Sequence, residues 1–431
     1  MPDQIDYLYT IFLEHPVIST DSRKIEPGCL FFALRGESFN GNQFVAKAMA
    51  EGASFAIVDD PSAQINERCI LVENVLTSLQ NLARHHRRQF SIPLIAITGT
   101  NGKTTTRELC NAVLSEKYIT LSTLGNLNNH IGVPLTLLRL RPDTQIAVIE
   151  MGANHPGEID FLCNIALPAY GLITNVGKAH LEGFGSFEGV IRTKTELYRF
   201  LKSRGGQVFV NQDDPFLMEH ATDLEKITYG LTSGELSAQS LFSDTYLKLD
   251  LVFKDQLQVT VNSHLYGKYN ADNMMAAACI GQHFGVEPEK IREAVENYRP
   301  VNHRSQIMQT SANLLILDAY NANPSSMRQA IENFAESSSP NKTLVLGDMA
   351  ELGEASFPEH EAILQLIDEK GFSSVFLVGP IFTMLNTKRE NTCFHDSEMA
   401  RLWFDHHRLK DATILLKGSR KIGLEKIIET L

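Results

Sequence analysis

The chain has 431 residues, 43% of them hydrophobic and 21% charged, with a formal net charge of −12. That length exceeds the ~100–200 residues of one ordinary domain, so two or three domains are expected. The acidic balance excludes non-specific binding to nucleic acid or anionic lipid, which needs clustered Lys and Arg, and leaves any anionic substrate to be met by local cations.

No apolar run approaches the ~18–20 residues that cross a bilayer, so membrane insertion is not expected. The opening MPDQIDYLYTIFLEHP lacks a basic segment followed by an apolar one and a small-residue cleavage site, which makes the cytoplasm the expected compartment. Six cysteines, Cys29, Cys69, Cys110, Cys163, Cys279 and Cys393, lie far apart without a CxxC. They read as reduced core residues rather than a zinc ribbon or a disulfide framework. No internal repeat is visible, and the only biased segment is the short stretch from Ser337 to Pro340.

Up to Arg88 short apolar runs, CLFFAL and FAIVDD, alternate with the helical stretch FVAKAMAEGA. This is a compact α/β pattern, assigned to a first domain over residues 1–91. From Ile92 the order becomes strand, glycine loop, helix: IPLIAIT, GTNGKTT, then RELCNAVLSEKY with Leu109, Val113 and Leu114 at helical spacing. The runs IAVIEM and YGLITNV follow at distances that leave room for crossover helices, so residues 92–299 read as a doubly wound, mainly parallel sheet. After Pro300 the pattern restarts with LLILDAY, TLVLGD, SSVFLVG and TILLKGSR. Residues 300–431 therefore read as a Rossmann-like third domain.

GTNGKTT supplies what a phosphate needs: glycines that admit backbone N–H groups, a lysine cation and a helix N-terminus. It is shorter than the general P-loop, whose first glycine would fall at Ile97 where this chain has Gly99. Lys103 is read as reaching the β- and γ-phosphates of ATP, and the Thr104 or Thr105 hydroxyl as reaching magnesium. The alternative is a glycine turn with a solvated lysine. Magnesium wants oxygen ligands, and IAVIEM carries Glu150 directly after its apolar run, a residue that also simply marks where a strand meets solvent. TNVGKAH places Asn175 and His180 at the same kind of strand end, where a histidine is as readily structural as functional.

In SFEGVIRTKTELYRFLKS the apolar residues Phe187, Val190, Ile191, Leu197, Tyr198 and Leu201 recur at helical spacing, and Lys194 lies on that stripe. An inward ammonium is costly, and its neutral amine can take up CO₂ to become a carbamate anion able to ligate metal. The alternative is a lysine whose stem packs while its head reaches water. LLILDAYNANPSSM puts Asp318 at a strand end before an Asn-rich turn, and LLKGSR leaves Lys417, Ser419 and Arg420 after another strand, able to meet a carboxylate or phosphate.

Taken together and in order, GTNGKTT, NLNNHIGVP, EMGANHPGEI, NVGKAHLEGFGS, the helix bearing Lys194, GKYNADN, the arginine of NHRSQ and DAYNANPSSM resemble the Mur ligase family across nearly the whole chain. TDSRKIEPGCLFFALRGESFNGNQF and the DAYNANPSSM turn are most similar to the branch that adds D-alanyl-D-alanine to UDP-N-acetylmuramoyl-tripeptide. The resemblance implies an ATP-dependent ligase acting through an acyl phosphate, with three domains for the UDP sugar, ATP and the dipeptide. It implies Ser22 and Arg23 by the uridine nucleotide and Asn128 and Asn129 on the muramoyl substrate. Gly99, Thr100, Asn101, Gly102, Lys103, Thr104 and Thr105 would cradle the phosphates. Thr104, Glu150 and His180 would serve magnesium, with a carbamylated Lys194 supporting a second ion. Asn270 and Asn273 would lie near adenine, Arg304 near the phosphates and Asp318 near the ribose. Tyr320, Asn321 and Asn323 would face the dipeptide. Lys103, Lys194, His180 and Arg304 are the implied catalytic set, in a monomeric enzyme.

The chain departs from the family pattern at Asn40 and Asn42, where Asp and His flank the glycine, at Tyr269 in place of a His, and at Thr193 and Thr195 around the lysine. Two rivals remain: a sister ligase adding a single amino acid such as lysine or diaminopimelate, and a protein that hydrolyses ATP only as a switch.

Overall fold

The computed structural model describes residues 4–243, 245–301 and 303–431. β1 (Ile18–Ser19) and β2 (Leu30–Phe32) lead into a two-stranded hairpin, β3 (Arg35–Gly36) and β4 (Phe39–Asn40), followed by β5 (Phe55–Val58) and β6 (Cys69–Leu71). β1, β2, β5 and β6 pair in that order as a parallel sheet. Phe31, Ala33, Ala56 and Val58 pack there against Val45 and Ala48 of the helix Val45–Ala50.

β7 (Leu94–Thr98), β8 (Thr120–Ser122), β9 (Ile146–Glu150), β10 (Tyr170–Ile173), β11 (Gln207–Asn211) and β12 (Glu225–Tyr229) form a six-stranded sheet of order β12-β11-β10-β7-β9-β8. Every residue of β7 and β9 is buried. Such strands read as unbroken apolar runs because both faces of the sheet are covered. An antiparallel sheet follows, β13 (Ser237–Ser243), β14 (Leu247–Val252) and β15 (Gln258–Asn262), which the mainly parallel reading leaves out. Its signal is the alternation of buried Leu247, Leu249 and Leu251 with Lys248 and Asp250 on β14.

The last sheet takes β16 (Gln306–Gln309), β17 (Leu314–Asp318), β18 (Lys342–Gly347), β19 (Ser374–Val378), β20 (Thr392–Phe394) and β21 (Thr413–Lys417) in the order β16-β17-β21-β18-β19-β20. β16 is antiparallel and the others parallel. Alternate residues feed two cores. Leu344 and Leu346 of β18 join Met327, Ile331 and Phe334 on one face, while Val345 joins Phe376, Phe404 and Leu416 on the other.

The stretch around Lys194 is two helices, Phe187–Lys194 and Glu196–Arg204, rather than one. At their junction the Thr195 hydroxyl donates back to the carbonyls of Ile191 at 2.9 Å and Arg192 at 3.2 Å, a local bond that competes with the helical ladder and bends it. Phe187 is 37% exposed, so it does not belong to the buried stripe, whereas Val190, Leu197 and Leu201 do.

By spatial proximity the chain groups into two units. One runs to Ala96 and takes in Tyr118–Ala153 and Gly157–Tyr170; the other holds Ile97–Lys117, Asn154–Pro156 and Gly171–Leu431. Among the described residues no helix is long and apolar enough to cross a membrane.

Candidate active site

The glycine loop lies between β7 and the helix Lys103–Ser115. Gly99 and Gly102 have φ of +136° and +80°, and a Cβ would come within 2.0 Å of Thr174 Oγ1 at the first and 2.4 Å of Asn273 Oδ1 at the second. Only glycine fits both positions. Lys103 Nζ donates to the carbonyls of Gly99 at 2.9 Å and Thr100 at 2.8 Å, which curls the ammonium over its own loop. Thr104 and Thr105 are buried in the first helical turn.

The segment after β10 holds this loop in shape. Asn175 Oδ1 accepts from Asn101 N at 3.0 Å, Thr174 Oγ1 donates to Asn101 O at 2.6 Å, and Thr100 Oγ1 accepts from Gly177 N at 2.9 Å. Asn270 and Asn273 stand behind Gly102 in a buried relay. Thr106 Oγ1 donates to Asn273 Oδ1 (2.9 Å), Asn273 Nδ2 to Asn270 Oδ1 (2.8 Å), and Asn270 Nδ2 to Tyr266 O (2.7 Å) and Ser305 Oγ (3.0 Å). Tyr269 shares a hydrogen bond with the same Ser305 hydroxyl at 3.0 Å, and burial pushes its phenol well above the ordinary tyrosine value.

His180 and Lys178 sit on the loop that follows. His180 has φ of +50° and its Nδ1 forms an ion pair with Glu351, itself at φ of +62°. The hydrogen bond from that imidazole holds the Glu351 carboxyl below the usual carboxylate range. Lys178 Nζ pairs with Glu359 at 2.6 Å, and Lys178 N donates to Ser325 Oγ at 3.0 Å. Lys194 ends its helix with its side chain buried, the ammonium 5.5 Å from the centroid of Phe184. The inward orientation read from the apolar stripe is what the structure has.

After β17, Asn323 caps the helix Pro324–Glu336, its Oδ1 accepting from Ser326 N at 2.9 Å, while its Nδ2 donates to Asn101 Oδ1 at 2.8 Å. The Asn-rich turn and the glycine loop therefore touch. Asn321 is exposed beside them. The Arg304 guanidinium stacks 3.6 Å from the Tyr320 ring centroid. Asp318 is bonded to Lys417 and accepts from Ser305 N at 3.4 Å.

In the other unit Glu150 is buried at the end of β9, accepting from Asn128 Nδ2 at 2.8 Å through Oε1. Asn129 Oδ1 accepts from Ile131 N and Gly132 N at 3.1 and 2.9 Å. Ser22 is half-buried in the turn before the exposed Arg23, which pairs with Asp21 at 2.8 Å. Asn42 bridges Asn40 and Asp59, donating to them at 3.0 and 2.8 Å. The departures at Asn40 and Asn42 thus form a closed polar network of their own.

The family description "Mur ligase middle domain" matches residues 97–281, "Mur ligase, glutamate ligase domain" residues 303–420, and "Mur ligase family, catalytic domain" residues 16–87. The UDP-N-acetylmuramoyl-tripeptide–D-alanyl-D-alanine ligase of Bacillus subtilis is 35% identical over 427 residues, covering 96% of this chain and 92% of that one. The chain belongs to the Mur ligase family.

Its three-domain α/β fold is that of Mur ligases of known structure. A crystal structure of MurF from Acinetobacter baumannii superposes with a TM-score of 0.86 at 33% identity, covering 96% of this chain and 92% of that one. The MurF ligase of Thermotoga maritima in complex with ADP gives 0.85 at 27% identity, covering 97% of both. Within this Mur ligase, sequence reasoning passes over Thr174, Ser325, Glu351 and Glu359, which hold the glycine loop and the His180 loop. The one signal for Glu351 is its place shortly after a buried strand, in GDMAEL.

Proposed function

We propose that this Mur ligase joins D-alanyl-D-alanine to UDP-N-acetylmuramoyl-tripeptide, with ATP consumed to ADP and phosphate. The single observation that carries the reading is the 2.8 Å bond between Asn323 and Asn101, which joins the turn assigned to the dipeptide to the loop assigned to ATP. The names of the Bacillus subtilis and Escherichia coli relatives, 35% and 33% identical over nearly full length, support the same substrates. The ADP complex of the Thermotoga maritima neighbour supports the nucleotide.

In this account the tripeptide carboxylate attacks the γ-phosphorus and the bond to the bridging oxygen breaks, releasing ADP and leaving an acyl phosphate. The dipeptide amine then attacks the acyl carbon, loses a proton, and expels phosphate. Bringing anions together needs preorganised cations. Lys103, freed from the Gly99 and Thr100 carbonyls, and the N-terminus of the helix it begins would take the phosphates. Arg304 adds a second cation. Domain closure keeps water from the acyl phosphate.

Magnesium keeps several waters and draws on substrate oxygens, so it needs no complete protein cage. Among the described residues no three His, Cys, Asp or Glu side chains gather as a metal group. The Thr104 hydroxyl and the buried Glu150 carboxylate are oxygen donors of the kind the ion takes, and they, with the His180 imidazole, are the residues that would hold it. When bound, magnesium neutralises charge on the phosphate oxygens. A carbamylated Lys194 would turn a buried cation into an anion suited to a second ion, and burial of that side chain supports the assignment. Asn270 and Asn273 near adenine, Asp318 near the ribose, Ser22 and Arg23 by uridine, and Asn128 and Asn129 on the muramoyl substrate complete the reading. We assign it to a cytoplasmic monomer divided at residues 91 and 299.

Mass spectrometry of the nucleotide product tests the reaction. The expected product is the tripeptide nucleotide extended by one dipeptide; ADP formed without any extended product would favour the switch.

A further inference from the structure

Tyr320 carries two guanidiniums: Arg304 at 3.6 Å and Arg420 at 5.5 Å from the ring centroid. The electron-rich face of the ring attracts both. Among the described residues neither has a carboxylate within ion-pair distance, in contrast to Lys417 next door, which is neutralised by Asp318. Two unneutralised like charges beside one ring repel each other, and an anion entering between them relieves that repulsion.

The three residues come from separate stretches, before β16, after β17 and after β21. The parallel register that sets Asp318 opposite Lys417 brings the ends of β17 and β21 together, so Tyr320 and Arg420 emerge at one sheet edge. In open α/β sheets that edge is where ligands bind. Ser419, the other polar residue of the same loop, is buried and already accepts from Ala350 N at 2.7 Å, while Arg420 is exposed and able to turn toward a ligand.

We propose that Arg420 binds the free carboxylate of the incoming dipeptide and that Tyr320 is the positioning residue that holds it beside Arg304. The proposal rests on the function assigned above. The acceptor reacts through its amine and carries one carboxylate away from the reaction, and a guanidinium fork matches a carboxylate with two parallel hydrogen bonds. The phosphates are assigned to Lys103, its helix N-terminus and Arg304, which leaves Arg420, on the same ring as Arg304, for the acceptor.

Steady-state kinetics of the full chain test this with D-alanyl-D-alanine and with the same dipeptide carrying a carboxamide terminus. Arg420→Gln is expected to raise KM for the dipeptide about tenfold to a hundredfold, the worth of a charge-assisted bond, with KM for ATP unchanged. The preference of the wild type for the carboxylate over the carboxamide should disappear. Tyr320→Leu should raise the same KM more than it lowers kcat, and Tyr320→Phe, which keeps the ring, should restore wild-type values. A rise in KM for ATP in place of the dipeptide assigns Arg420 to phosphate and overturns the proposal, as does an unchanged carboxylate preference. If Tyr320→Phe is as impaired as Tyr320→Leu, the ring is not what positions Arg420. If the wild type turns over neither dipeptide, the functional reading fails first, and this proposal with it.

Discussion

Asp318 and Lys417 stand directly opposite each other at the ends of the adjacent parallel strands β17 and β21 and form an ion pair in which the lysine is almost wholly buried. Register and charge agree at this point: the strand pairing that builds the sheet also places the cation against the anion. A buried pair adds little when intact, but losing one member leaves an uncompensated charge. Lys417→Met should destabilise the protein by about 3 kcal/mol, and the double variant with Asp318→Asn should recover most of the loss. Urea midpoints of the wild type and the two variants read this directly; no recovery in the double variant would mean that Lys417 acts through packing rather than charge.

Lys103 touches carbonyls of its own loop, and the strand and helix flanking it are shaped by Gly99, Gly102 and buried apolar residues. Lys103→Ala should therefore keep the fold while lowering turnover by at least about a hundredfold, the usual consequence of removing one preorganised charge from a transition state. Unchanged thermal unfolding with lost ADP release is the expected pair of results.

Lys194 is buried beside Phe184. Isotope-labelled bicarbonate should give the wild type a carbamate signal by nuclear magnetic resonance that Lys194→Ala lacks, and the variant should turn over about a hundredfold more slowly. A variant of near-normal activity would sink the carbamate assignment.

Burial, with Asp213 and Asp214 close by, pushes the Asp272 carboxyl up to about 6. The folded state thus keeps a proton that the unfolded chain releases near pH ~4, so this residue lowers stability progressively as pH rises from about 4 to 6, and the loss persists above that. Asp272→Asn should match the wild type in Tm near pH ~4 and exceed it by a few degrees near pH ~7.5. A constant offset between the two across that range would argue against the titration.

How much of this was legible in the sequence depends on distance along the chain. The glycine loop and the inward Lys194 were readable because strand, turn and helix periodicity are local. The bend at Thr195 was not, since apolar spacing continues through it and the hydroxyl's bond to Ile191 leaves no trace in the pattern. β14 announced itself by alternating Leu247, Leu249 and Leu251, a signal available but outweighed by the parallel runs around it. The contacts that join the site, Asn101 with Asn323 across 222 positions, His180 with Glu351, and Tyr320 with Arg304 and Arg420, depend on which strand ends share an edge. Periodicity carries no information about that order.

The choice of acceptor tests the central claim most directly. ADP release is measured with UDP-N-acetylmuramoyl-tripeptide and, in separate reactions, D-alanyl-D-alanine, L-lysine and meso-diaminopimelate. The account predicts turnover with the dipeptide alone; turnover with a single amino acid, or equal ADP release with no acceptor present, would contradict it.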